Sequence, residues 1–560
     1  MVRSIPRLCL GLVAVVVVVI LCSAANQDAQ KKSTAQVPLN GYLGNDTCAS
    51  CHSSIFESFT HTAHAHASGP ANTNLVSGEF IHKDSQVKYR VYSESGKVWM
   101  SFERAGDPLM QGKRELLYYI GQGRRGTTYL SSVDGYFFEA PINLYTSRHM
   151  WDMAPAYGAA REAPMNLPVL PSCMDCHVSG IRPAIDGTEN RYAMPLFLYA
   201  GVTCERCHGP GESHVNGGAI VNPVKLSAER RDQVCMQCHL EGNAAIERPG
   251  KHLYQYRPGD DLSDYVRYYV LTDNGKPGLR AASQFEELAQ SMCKKKAGDA
   301  MSCTSCHEPH RAISADERVR FYRSKCLECH GAQFGEKHHS SQPDCTQCHM
   351  PAAPSSDIAH TAVTDHRIPR RPSFGAKLEN ATSSSLPQLV PFPNSKKTTE
   401  HDVRDLALAW QSIVNSGMTM AQPQAEQLLK EATTQYPDDP AVLAALAYVE
   451  QKQGAKDKAR DLYRKALARD PTLIDAETNL GVLEALSGQL SEAVSLWQDA
   501  FRRAPGRSEI GMNLARAFCA TRQFNDARNY TMRVLQFNPD LGEAKTMLKQ
   551  LNADPPGCRK

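Results

Sequence analysis

The sequence predicts a mainly α chain in two unlike halves. The first is a Cys- and His-rich half of short helices and loops with a small β insertion, and the second is a helical solenoid. Three observations carry this. Every C-x-x-C between residues 48 and 349 is followed directly by His, and there are seven such sites. Nineteen of the twenty histidines and fifteen of the nineteen cysteines lie between residues 41 and 370. Beyond residue 400, small and apolar residues recur with one fixed 34-residue period.

The chain opens MVRSIPRLCLGLVAVVVVVILCSAANQ. Arg3 and Arg7 make a positive start, Leu8 to Cys22 is a 15-residue apolar run, and Ser23, Ala24 and Ala25 offer small residues for cleavage. This is the pattern of a secretory signal peptide over 1–25, and the run is short for a span of about 20 residues. A lipid anchor on Cys22 would want a smaller residue than Leu21. An uncleaved anchor is the other alternative. Residues 26–41 form an N-terminal linker. The expected compartment is periplasmic or extracellular.

The seven sites are CASCH (Cys48, Cys51, His52), CMDCH (Cys173, Cys176, His177), CERCH (Cys204, Cys207, His208), CMQCH (Cys235, Cys238, His239), CTSCH (Cys303, Cys306, His307), CLECH (Cys326, Cys329, His330) and CTQCH (Cys345, Cys348, His349). Two thiols at this spacing reach the two vinyl groups of one porphyrin, and the adjacent imidazole ligates the iron: this is the attachment pattern of c-type haem. Zinc ribbons also use C-x-x-C pairs but place no fixed His after the second Cys. A disulfide framework, the other option for an exported Cys-rich chain, demands no His either. The expectation is seven covalent haems, attached outside the cytoplasmic membrane in agreement with the export signal. The formal charge is +3. Haem propionates turn that balance acidic, which excludes nucleic acid as a partner.

Between the first and second sites, KYRVYSESGKVWMSFER alternates as a hairpin with Glu94-Ser95-Gly96 as its turn. LLYYIGQGRRGTTYLSSVDGYFFEAPINLY continues as short strands broken by Gly. GQGRRG lacks the Lys-Ser/Thr of a phosphate loop and reads as a turn. The β insertion is placed at about 79–145. Six attachment sites fall within residues 173–349. That is too little chain for an apolar core around each, so the porphyrins are expected to be the core of the 42–370 domain.

Residues 371–403, rich in Pro, Ser and charge, read as a linker. The repeat follows over 404–553, with a tail at 554–560. Pro437, Pro471, Pro505 and Pro539 are spaced by 34 residues, as are Ala425, Ala459, Ala493 and Ala527, and as are Leu446, Leu480 and Leu514. Ala447, Gly481 and Ala515 keep the next position small. The pattern resembles the tetratricopeptide repeat, a helix pair per unit. Four units are expected, about 406–439, 440–473, 474–507 and 508–541, and then a capping helix. The first is degenerate, with Ser412 and Ile413 at the Leu and Gly/Ala positions. Such arrays expose a concave groove, so this half is expected to dock a redox partner. Cys519 and Cys558 lie here, and the sequence leaves a bond between them open.

Thirteen histidines lie outside the motifs, twelve of them between 61 and 366. His310 is too near His307 to swing to the opposite face of the same iron, so it serves another iron or none. GVTCERCHGPGESH, MSCTSCHEPH, CTQCHMP and HTAVTDHRI resemble multihaem cytochromes of the c-554 type, in a larger form fused to tetratricopeptide repeats, over about 42–370 plus the repeats. The resemblance implies closely packed, mostly bis-His haems passing electrons. On its pattern His64, His214, His310, His360 and His366 are distal ligands, with His149 and His339 as weaker choices and His61, His66, His82 and His338 in reserve. An oxidoreductase with one open-site haem, acting on a small nitrogen or sulfur compound, is the alternative. The C-x-x-C-K of pentahaem nitrite reductases is absent: Lys294 to Lys296 follow Cys293 without a second Cys. Cys293 reads as structural. A structural subunit of an extracellular cytochrome assembly is the third reading.

Overall fold

The computed structural model describes residues 41–121, 125–157, 161–272, 279–331, 343–356, 358, 360–370, 387–393, 402–554 and 556–558. The expected signal peptide, most of the linkers on either side of the first domain, His338 and His339 lie outside these residues.

The β insertion is larger than the sequence suggested. It is an antiparallel sheet running from Ser68 to Met153: β1 (Ser68–Pro70), β2 (Gly78–Ile81), β3 (Lys88–Glu94), β4 (Lys97–Arg104), β5 (Asp107–Ile120), β6 (Thr127–Val133), β7 (Tyr136–Tyr145) and β8 (Met150–Met153). β2 to β8 form a meander and β1 adds to β5. The outer strands escaped notice because SGP and MWDM are too short to show alternation. The turn between β3 and β4 falls as expected, with Ser95 at φ 53° and Gly96 at φ 77°. Two consecutive left-handed residues twist the chain in the sense paired strands require. The sheet curls until its edges approach, and Gly78 on β2 lies directly against the Trp151 ring of β8. Inside it Tyr89, Val91, Met100, Met110 and Ile142 are buried. The sheet has a protein core of its own and does not depend on a porphyrin for one.

The attachment sites sit on short helices and turns, including Asn45–Ala49, Pro171–Met174, Glu205–His208, Ala228–His239, Arg318–His330 and Cys345–His349. Between them run β9 (Val178–Ile181) with β10 (Phe197–Ala200), and β11 (Ala244–Glu247) with β12 (Val266–Leu271). β13 (Ala352–Pro354) pairs with β14 (Ala362–Thr364). β15 (Leu389–Phe392) comes from the segment expected as linker and pairs with β12. Helix Arg318–His330 buries none of its side chains.

The repeats are four helix pairs: Asp402–Asn415 with Gln422–Gln435, Pro440–Lys452 with Lys456–Arg469, Ile474–Leu486 with Leu490–Arg503, and Ser508–Ala520 with Phe524–Phe537. Gly542–Leu551 caps the last. The period has a packing cause. Ala425, Ala459, Ala493 and Ala527 are completely buried where helices cross. A Cβ on Gly481 would meet Trp497 Nε1 at 2.5 Å. Cys519 and Cys558 form a disulfide with Cα atoms 6.2 Å apart, joining the tail to the last repeat.

Both ends of the array rest on the first half. Trp410 and Ile413 pack with Ala244, Tyr269 and Leu389, and Arg248 pairs with the buried Asp405. At the other end Phe537 packs on Tyr136 and Phe138. The buried Arg114 of β5 donates to Phe537 O at 2.7 Å and Gln536 O at 3.1 Å, the open carbonyls at a helix C-terminus.

Candidate functional site

Each attachment cysteine is placed by a local turn, and the turns bring different motifs together. Cys48 lies within hydrogen-bonding reach of Cys204, Cys176 of Cys238, Cys235 of Cys303, and Cys326 of Cys345. Burial pushes all four of Cys48, Cys173, Cys204 and Cys326 up, the last two to about 12. None of the fourteen motif thiols is in a disulfide.

The motif imidazoles meet the histidines that the sequence left over. His214 stacks on His52 with ring centroids 6.4 Å apart and planes at 12°. His310 stacks on His208 at 5.9 Å and 16°, and His366 on His307 at 6.2 Å and 28°. His64 faces His239 at 6.2 Å and 66°. Two imidazoles on opposite sides of one metal ion, each bonded at about 2 Å, hold their centroids about 6 Å apart. Among the described residues no three His, Cys, Asp or Glu side chains converge as a zinc site would require.

The second ring nitrogens are engaged in the way ligation needs. His208 Nδ1–H donates to Val221 O at 2.8 Å, His349 to Pro369 O at 3.0 Å, His366 to Thr364 O at 2.9 Å and His214 to Gly218 O at 3.2 Å. A donated Nδ1 proton leaves Nε2 with its lone pair and fixes the ring's direction. Ser58 donates to His310 O at 2.7 Å, anchoring the loop that carries this ring. Burial, followed by a neighbouring His, pushes His64 and His307 down to about 4, so both stay neutral.

The remaining predicted ligands are placed differently. His360 sits in a turn at φ 56° with Nε2 2.8 Å from Asp152 Oδ2 and its ring edge-on to Tyr145. His149 is exposed at a left-handed position, φ 48°. His82 is buried against Ser85, with Nδ1 2.8 Å from its hydroxyl. His61 donates to Glu57 O at 2.8 Å. Cys293, half-buried, lies among Cys306, Cys326 and Cys329 of the fifth and sixth motifs.

Sequence reasoning passed over the variable residues inside the motifs. Glu205 of CERCH, 1% exposed, accepts from Leu43 N at 2.9 Å, Gly44 N at 2.8 Å and Gly211 N at 2.8 Å. Asn45 Oδ1 accepts from Cys204 N at 2.9 Å, so the first and third motifs are tied twice. Arg206 reaches the other way, donating to Asp175 O of CMDCH at 2.8 Å. Gln237 of CMQCH donates to Arg206 O at 3.1 Å. Asp232 accepts from Lys294 Nζ at 3.0 Å and from Cys303 N at 3.4 Å, tying the fourth motif to the fifth. Two charges side by side between a Cys pair, as in C-E-R-C, were the visible signal.

Haem fits these residues. The thiol pairs have the attachment spacing, and the imidazoles face each other in twos. Buried guanidinium Nε–H groups of Arg182, Arg206, Arg231 and Arg267 have no protein acceptor, as donors placed for propionates would be.

Residues 147–209 match the family model "Cytochrome c554 and c-prime". The chain is 27% identical over 197 residues to "Multiheme cytochrome MtrA" of Shewanella baltica (strain OS185), covering 30% of this chain and 54% of that one. It is 25% identical over 183 residues to "Dissimilatory sulfite reductase MccA" of Wolinella succinogenes, covering 27% of this chain and 22% of that one. The chain thus spans about half or less of the curated relatives it matches. Among solved structures, the outer cell wall cytochrome OcwA aligns over 83% of this chain and all of its own at TM-score 0.39 and 15% identity. Pseudomonas aeruginosa PilF aligns over 27% of this chain and 68% of its own at TM-score 0.25 and 23% identity. Among the described residues no helix is long and apolar enough to cross a membrane. Seven C-x-x-C-H sites and a cytochrome c554 match lying across the second and third of them make the first half similar to multihaem cytochromes with covalently bound haem c, and the helix pairs at a 34-residue period make the second half similar to tetratricopeptide repeats.

Proposed function

We propose that the protein is an exported, periplasmic or extracellular cytochrome that binds seven haems, mostly through two histidines each, and passes electrons along them. The observation that carries this reading is the set of four imidazole pairs at 5.9–6.4 Å. In this reading His52 and His214, His208 and His310, His239 and His64, and His307 and His366 are the ligand pairs. His177, His330 and His349 are further proximal ligands, and His339, His360 and His149 remain distal candidates for the other sites.

Bound haem supplies a one-electron iron couple whose potential depends on axial ligands, charge and burial. The chain's own residues do the rest. Interleaved ligands fix the spacing, because each loop that leaves one motif holds a ring against another. The thiol contacts give the order: the first motif meets the third, the third lies against the fourth, the fourth meets the fifth, and the sixth meets the seventh, with the second beside the fourth. Cys306 and Cys329 link the fifth to the sixth. Attachment thiols this close would hold neighbouring haems near one another. The repeats serve to dock a redox partner.

A second reading, an oxidoreductase acting on a small nitrogen or sulfur compound at one open-site haem, has one observation in its favour. Among the described residues His177 meets no second imidazole ring, whereas four other motif histidines do. Intact-mass measurement and the oxidised spectrum of the matured protein test both. Seven haems with low-spin signals are expected. Six or fewer would remove a motif, eight would bring in Cys293, and a stoichiometric high-spin signal that binds carbon monoxide on reduction would move the assignment to the second reading.

A further inference from the structure

The two variable residues of CERCH, Glu205 and Arg206, point in opposite directions and join four of the seven motifs. Glu205 holds the backbone that leads into CASCH. Arg206 is 7% exposed and lies where CMDCH, CERCH and CMQCH meet. Its Nη2 donates to Asp175 O at 2.8 Å, its backbone carbonyl accepts from Gln237 at 3.1 Å, and its guanidinium lies within hydrogen-bonding reach of the Cys238 thiol. It also lies within electrostatic reach of Cys176 and Cys207. One guanidinium therefore stands against attachment thiols of three different motifs. Its Nε–H is buried without a protein acceptor, and Asp175 Oδ1 and Gln237 Oε1 in the same knot are buried without a protein donor.

Burying an arginine this deeply is costly unless its charge is used. Each haem gains one electron on reduction, which makes the site more negative by one charge. A fixed positive charge nearby favours that state, and the low dielectric of a buried position strengthens the effect. Asp175, 3% exposed, is the acidic side chain that acts most directly on this guanidinium and opposes it, while Glu205 points away toward CASCH and Glu247 lies within electrostatic reach of Asp175. We infer that Arg206 is a positioning residue that raises the reduction potentials of the haems of the second, third and fourth motifs together, making their junction the point in the cytochrome where an electron is held most tightly. This rests on the multihaem electron-transfer reading.

The test is a spectroelectrochemical titration of the full-length, haem-loaded protein. Arg206→Gln is expected to keep the parent's haem count and low-spin spectrum while the waves of up to three haems move to lower potential and the others stay. Arg206→Lys keeps a charge at the site and is expected to hold those waves nearer the parent. If Arg206→Gln fails to mature, Asp175→Asn at pH 8 decides, because it leaves Arg206 intact and removes the opposing charge. The same waves are then expected to rise. Unmoved potentials in a fully loaded Arg206→Gln protein, or in Asp175→Asn where only that matures, overturn the inference. A parent lacking the haems or the low-spin signals would instead overturn the electron-transfer reading beneath it.

Discussion

His310 lies three residues beyond His307, yet its ring stacks on His208, in a motif about a hundred residues earlier in the chain. Thioether attachment at the fifth site uses Cys303 and Cys306, so replacing His310 leaves attachment intact. His310→Ala is expected to retain every haem by mass while one iron changes from low spin to high spin, and its potential moves, since the axial ligand is a main lever on it. His307→Ala differs because it removes the ligand inside the attachment motif and lowers haem occupancy at that site. An unchanged low-spin spectrum in His310→Ala, with no new carbon-monoxide-binding iron, would return His310 to a structural role.

At the scale of elements, the parts differ in what holds them together. The β1–β8 sheet encloses Tyr89, Met100, Met110 and Ile142 at 0% exposure, and the repeats bury a row of alanines. Those cores are made of protein. Helix Arg318–His330 has no fully buried side chain; Tyr322 meets the His307 ring and Cys326 meets Cys345, but a 13-residue helix so thinly packed is marginal in water. A porphyrin attached at Cys326 and Cys329 would supply the rest of its apolar contact. In a Cys326→Ser, Cys329→Ser protein, amide hydrogen exchange is expected to show residues 318–330 losing protection by at least tenfold, while β4 and the helix Ile474–Leu486 keep theirs. Protection retained in 318–330 would mean that the protein alone stabilises this helix.

At the scale of the whole molecule, one buried carboxylate adds an ionic tie to the packing that seats the C-terminal end of the array. The Asp540 side chain, 2% exposed, pairs with Arg104 and with Lys545 at 2.8 Å and accepts from Ala163 N at 2.7 Å. Asp540→Ala leaves Arg104 and Lys545 to share Asp107, which pairs with both at 3.4 and 2.6 Å, at a half-buried junction. A loss of about 3–5 kcal/mol is expected from breaking a buried pair, read as a lowered melting temperature with the haem spectrum unchanged. Burial alone would raise the Asp540 pKa, but hydrogen bonds from Arg104 and Lys545 hold it below the ordinary carboxylate value. A depressed folded-state pKa contributes stability that is present above about pH 4 and is lost as pH falls through the folded value. Acid is therefore expected to loosen the sheet–array junction, and Asp540→Ala to remove that part of the pH dependence. A melting curve with the same acid slope in both proteins would count against the junction.

The sequence by itself determined where the seven C-x-x-C-H sites and the repeat lie. The reason is locality: five consecutive residues carry the chemistry of each C-x-x-C-H, and each 34-residue unit must bury its own small-residue crossing before it can stack. The Ser95-Gly96 turn was legible for the same reason, since two left-handed residues fit between strands. Only the tertiary structure decided which spare imidazole meets which motif, since His64, His214, His310 and His366 each reach a ring on a distant segment. It also decided that Glu205 and Arg206 bind neighbouring motifs, that short segments such as Met150–Met153 complete a curled sheet, and that Leu389–Phe392 leaves the linker to pair with Val266–Leu271. Those are long-range pairings, whose partners are chosen by the packing of the whole chain and leave no periodic trace in the residues that make them.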